Sequence, residues 1–130
     1  IDAGEYTAAT GGLSSAFGAD AQALGTSATA LGAEAIAGAV SATAVGVGSD
    51  AVYKGTALGT GALATGIDSV ATGVNSVASG TNSTAIGGIH DKNLNGVVEP
   101  NEQARASGNL STAVGAAAQA TKWVSPTATR

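Results

Sequence analysis

One stretch of the chain gathers oxygen-bearing side chains at a spacing that suits a metal: Asp91-Lys92-Asn93-Leu94-Asn95-Gly96-Val97-Val98-Glu99-Pro100-Asn101-Glu102. It fits the pattern D-x-[DN]-x-[DN]-G-x5-E, in which alternate residues turn their oxygens toward one point. Asp91, Asn93 and Asn95 supply side-chain oxygens and Val97 its backbone carbonyl. Glu99 contributes directly or through water, Glu102 brings a bidentate carboxylate, and Gly96 permits the sharp turn. Calcium is the cation this set implies, since it is hard and takes about seven oxygens. The alternative is a solvated loop in which Asn and Gly merely form turns. No amphipathic helix flanks the stretch, so it is not half of a paired regulatory EF-hand. Two Asn in place of Asp also lower the ligand charge, and a structural ion is expected over a sensor.

Other chemistry is scarce. There is no Cys, a single His, and no clustered carboxylate outside the loop, so no nucleophile–base pair can be named and catalysis is not expected. His90 has no partners for zinc and reads as a surface residue. The net charge is −4 with only five Lys and Arg, scattered along the chain, which argues against nucleic-acid binding. No run is long and apolar enough for direct membrane insertion, and no signal peptide opens the chain. A chain starting at Ile1 is expected to be a segment whose targeting and anchoring parts lie elsewhere.

The elements that must hold the loop are built from unusual material. Hydrophobic content is 44%, but it rests on about 30 Ala, and aromatics make up only 3%. At about 25 cal/mol per Å² buried, an Ala-lined interior gives a small monomer a weak core. Either the interior is very narrow or subunits complete it.

Around the loop the chain repeats every seven residues as small–x–Ala–x–Gly plus two turn residues. Gly holds the fifth position at Gly11, Gly18, Gly25, Gly32, Gly46, Gly59, Gly66, Gly73, Gly80, Gly87, Gly108 and Gly115. Ala39, Tyr53 and Lys122 stand in its place elsewhere, which makes fifteen units. The central residue is always Ala, from Ala9 to Ala120, and the first is always small. One residue is missing between Tyr53 and Gly59, where Tyr53 either caps an irregular coil or marks a slip of register. A helical heptad is excluded by Gly once per turn pair, at about 1 kcal/mol each relative to Ala. As strands, the units turn their small first and third residues to a thin interior.

Outward positions show a period of fourteen. Even-numbered units carry Phe17, Leu31, Val45, Leu58, Ile86 and Val114 at the fourth position, while odd ones look solvated. Each coil therefore has two short strands, one bearing an external apolar stripe that something must cover. Self-association along the stripe is the simplest cover. Ile36, Leu63 and Val77 sit on the other strand and are candidates for a binding surface.

Asn82-Ser83-Thr84-Ala85-Ile86-Gly87, Asn75-Ser76-Val77-Ala78-Ser79-Gly80 and Leu110-Ser111-Thr112-Ala113-Val114-Gly115 resemble the head repeat of trimeric autotransporter adhesins, the YadA-like head. The resemblance implies an all-β fold, a left-handed parallel β-roll with 14-residue coils that assembles as a homotrimer. Its trimer interface would be Phe17, Leu31, Val45, Leu58, Ile86 and Val114. It also implies a bacterial cell-surface location, anchored to the outer membrane through parts outside this segment. The implied activity is adhesion to host extracellular matrix, cells or surfaces. A single domain over 1–130 is expected, with a loop insertion at about 88–103. A C-terminal cap or exit segment follows at about 122–130, in which Trp123 covers the roll's end. The ladder of Thr29, Thr43, Thr56, Thr84 and Thr112 leaves an ice-binding β-solenoid open, although Leu, Val or Ile two residues on favours a buried interface. A passive spacer in a surface fibre is the third reading.

Overall fold

Each repeat unit becomes one strand. The computed structural model describes residues 6–121. Within them fifteen strands alternate between two-residue strands, from Ala8–Ala9 to Gln119–Ala120, and three-residue strands, from Ser15–Phe17 to Thr112–Val114. Every strand pairs in parallel with the strand two units away. The short strands thus stack into an eight-stranded sheet and the long ones into a seven-stranded sheet. The result is a parallel β-solenoid with two strands per coil, as the fourteen-residue period requires. None of its helices is long and apolar enough to cross a membrane, among the described residues.

Ala faces Ala up the ladder, as in Ala16 with Ala30, Ala30 with Ala44 and Ala71 with Ala85. The central Ala and the small first residue of each unit fill the interior; Ala23, Ala37, Ala57, Ala78 and Ala106 are fully buried. Ser49, Ser69 and Ser76 are buried there as well. The cost of desolvating a hydroxyl is offset by a hydrogen bond to the carbonyl three residues earlier. The Ser69 hydroxyl donates to Gly66 O at 2.7 Å, and Ser111 to Gly108 O at 2.6 Å. The Ser111 N–H donates to that same carbonyl at 3.2 Å, so a first-position Ser fastens the turn twice. Ser83 is buried with its hydroxyl unpartnered among the described residues.

Chain reversal is divided between two positions. The seventh residue of a unit adopts the left-handed conformation, with φ of 53–60° at Leu13, Asp20, Glu34, Asp68 and Asn82. The fifth-position Gly needs positive φ only after long strands, where it runs from 121° to 139°. At Gly59 a Cβ would in addition meet the Gly73 carbonyl oxygen of the next coil at 2.7 Å. Ala39 replaces Gly after a short strand, where no positive φ is required.

Thr43 pairs with Thr56 and Asp50 with Leu63, 13 positions on instead of 14. The residue lost is the fifth-position Gly itself. The Tyr53 carbonyl accepts from Asp68 N at 3.1 Å, as the sixth-position Val40 carbonyl accepts from Lys54 N at 3.0 Å one coil earlier. Tyr53 is therefore a sixth-position residue, which corrects the register expected from sequence. Its side chain is 48% exposed. Buried Gly55 closes the shortened turn; a Cβ there would meet the Ala64 and Val52 carbonyls at 2.8 and 2.9 Å.

At the insertion, Thr84 pairs with Thr112, 28 positions on where Val70 and Thr84 pair 14 apart. The insertion adds one coil's length of chain, yet it forms no coil. The ladder closes directly beneath it, and the extra chain stands outside the sheets.

Candidate functional site

Two features stand out on the surface, a stripe and a loop. The pairing register aligns Phe17, Leu31, Val45, Leu58, Thr72, Ile86 and Val114 in one row on the long-strand sheet. Phe17 is 75% exposed, Val114 65%, Leu31 44%, Ile86 42% and Leu58 37%, while Val45 is half-buried. These are the six residues expected at the trimer interface, and the fold brings them together in register. Sequence reasoning missed Val47 and Val74, 52% and 46% exposed in the turns that follow the long strands. They carry the apolar surface round the corner of the solenoid. Both stand at the sixth position, which the seven-residue repeat marks only as a turn.

On the short-strand sheet, Ile36 and Leu63 are half-buried and remain reachable. Val77 is only 6% exposed and offers no binding surface, contrary to expectation. Its N–H donates to the Ala104 carbonyl at 2.8 Å, where the insertion rejoins the ladder beside it.

The loop folds around its own carboxylates. Asp91 Oδ1 and Asn93 Oδ1 both accept from Asn95 N at 3.2 Å, and Asp91 Oδ2 accepts from Gly96 N at 2.8 Å. Asn95 Oδ1 accepts from Val97 N at 2.7 Å. The Asn93 and Asn95 amides both point at Glu99 Oε1, at 3.4 and 3.3 Å. Glu102 lies at the base, 1% exposed, accepting from Lys92 N at 2.9 Å and from Glu99 N at 3.3 Å. The Lys92 ammonium turns instead to the Asn101 carbonyl at 2.7 Å, and the buried Glu102 carboxylate has no Lys or Arg paired with it among the described residues. Gly96 has φ of 75°, the left-handed turn its type suggests.

No three His, Cys, Asp or Glu residues converge among the described residues. A cation held here would draw on the amide oxygens of Asn93 and Asn95 and the Val97 carbonyl, besides the acids. The Gln119 side chain ties the loop to the last coil, donating to Gln103 O at 2.6 Å and Pro100 O at 3.2 Å. His90 is exposed, and among the described residues only its backbone N–H is engaged, with Glu102 O at 2.8 Å. The expected cap at Trp123 lies outside the described residues.

A family model described as the YadA head domain repeat matches residues 9–35, 54–76, 64–88 and 106–122, more than half of the chain. The loop of residues 91–102 falls between the matched segments. No curated protein matches the chain in sequence.

Proposed function

Because this chain belongs to the YadA head domain family, we propose that it is the adhesive head of a trimeric autotransporter adhesin on a bacterial surface. In this reading three copies pack their long-strand sheets together, and the exposed outer faces attach to host extracellular matrix, cells or surfaces. The single observation that carries it is the in-register apolar row from Phe17 to Val114 on a chain whose own interior is filled by Ala. Such a row needs a partner of equal length and pitch, and a second and third copy supply both. Outer-membrane anchoring falls to parts outside this segment. Many weak, repeated contacts on the outer faces would raise avidity without a tight pocket.

Sedimentation equilibrium and adhesion of the purified chain to immobilised matrix proteins and cell monolayers test this together. A trimer that adheres is expected. A monomer with thermal hysteresis would replace the reading with an ice-binding solenoid, and a trimer that adheres to nothing would replace it with a spacer.

The loop supports a second role. Asp91, Asn93, Asn95, Val97, Glu99 and Glu102 would hold one calcium ion as a structural clip. Two of the side-chain oxygens already meet on a single N–H, and Glu102 is buried with no Lys or Arg paired with it among the described residues. With two Asn among the ligands, affinity falls toward the millimolar end of calcium sites. Calorimetry should show binding at millimolar calcium and its loss in Glu102→Gln. Absence of heat in the unaltered protein discards the site.

A further inference from the structure

The short-strand sheet carries a groove of about 360 Å³ that the repeat does not predict. Its floor is a run of second-position residues paired in register, Gln22 with Ile36, Ile36 with Asp50, and Asp50 with Leu63. Asp50 thus lies between aliphatic side chains on the two adjoining coils. Asp20, Glu34 and Gly48, from the turns, complete the lining, and among the described residues no cationic side chain contributes to it. The Asp50 carboxylate is half-buried, and burial raises its pKa from the ordinary value, with no hydrogen-bond donor to it among the described residues. Asp20 takes only a 3.5 Å contact from Gln22 Nε2. A carboxylate set among aliphatic side chains without a partner costs stability, and such arrangements concentrate at functional sites.

We infer that this groove receives an arginine side chain presented by an extended segment of a partner protein. The guanidinium is planar and always charged, and its fork matches carboxylates in a bidentate manner. Its methylene stem would lie along Leu63 while the head reaches Asp50, with Glu34 one coil further along the groove. A bare metal ion would make no use of the aliphatic walls, and a lysine ammonium lacks the fork. The inference rests on the adhesive reading above, in which the long-strand sheet is buried in the trimer and this face stays open. It names the chemistry of what is bound there.

The test uses the intact chain in its assembled state and a fluorescent Gly/Ser peptide bearing spaced arginines, read by anisotropy. Two companion peptides carry lysine or uncharged citrulline instead. Saturable binding of the arginine peptide is expected, weakened at least tenfold by citrulline and at least tenfold by Asp50→Asn. Asp68→Asn, an exposed carboxylate outside the groove, should change it less than twofold. Melting and sedimentation of Asp50→Asn serve as the folding control, since the two side chains are nearly the same size. Equal weakening by Asp50→Asn and Asp68→Asn would reduce the effect to net charge and overturn the site. Equal binding of the lysine peptide would overturn the arginine assignment, and so would no saturation at millimolar peptide. If Asp50→Asn adheres to matrix as well as the unaltered chain, the groove inference fails while the adhesive reading stands. If the unaltered chain binds the peptide but adheres to nothing, the reverse holds.

Discussion

Replacing Leu31 with Asp puts the trimer arrangement to its sharpest trial. Leu31 keeps 44% of its surface exposed in the single chain. Full burial of a Leu contributes about 1.5–3 kcal/mol, so covering the remainder contributes about 1 kcal/mol per chain and about 3 kcal/mol per layer of three. Leu31→Asp removes that and brings three carboxylates together around the axis with no cation in the row. Each loses its hydration for no ion pair, at several kcal/mol apiece, so the loss is on the order of 10 kcal/mol. Six such layers give a gross gain of about 18 kcal/mol, from which the two association steps of a trimer take at least about 8 kcal/mol. The variant should therefore sediment as a monomer at micromolar concentration or precipitate, and a soluble fraction should keep its β-sheet circular dichroism. Thr65→Asp, exposed at the fourth position of a short strand, should remain trimeric. A soluble Leu31→Asp trimer of unchanged stability would refute the assignment of this face, as would dissociation by Thr65→Asp alone.

Two further perturbations probe the coil and its charge. Gly59→Ala forces a side chain onto a backbone carbonyl at φ of 133° and should cost more than about 3 kcal/mol in urea unfolding. Gly48→Ala, at φ of 63° with open space, should cost about 1 kcal/mol. Equal costs would contradict the coil contact. For Asp50, burial raises the folded-state pKa above the unfolded one, so the folded state binds its proton more tightly. The charged carboxylate destabilises the fold above that pKa, and the penalty is relieved as pH falls through it. Asp50→Asn should raise stability at neutral pH by up to about 0.5 kcal/mol, because solvent screens a half-exposed group, and should flatten the dependence just above the ordinary carboxylate range. A less stable variant at neutral pH would contradict this sign.

The strands could be read directly from the chain because an invariant central Ala and a small first residue leave only one way to pack. Each unit from Ala8–Ala9 to Gln119–Ala120 became a strand at the expected residues. The turns were harder. Leu13, Glu34 and Lys54 adopt left-handed backbone, yet none is a residue type that advertises it. Tyr53 looked like a substituted Gly, and only its carbonyl bond to Asp68 N shows that the Gly is deleted instead. Val77 was expected to be exposed by its place on the outward face. It stands in register between Leu63 and Arg105, and 28 positions separate it from Arg105, so its neighbours cannot be read from the regular period of fourteen. In the loop the oxygen pattern was plain from Asp91 to Glu102, whereas the burial of Glu102 is a tertiary property.

A surface fibre is pulled along its length, and in this solenoid tension along the stack runs parallel to the inter-coil hydrogen bonds. The bonds of one coil share the load, so rupture would proceed a coil at a time, each releasing about 45–50 Å of extended chain. The tip of the insertion, residues 91–99, carries no inter-coil hydrogen bond among the described residues. Thr84 N is bonded directly to Ser111 O at 2.9 Å and Gly115 N to Ile86 O at 2.7 Å, so the force path passes beneath the loop. Residues 91–99 therefore stay slack while the coils on either side are strained.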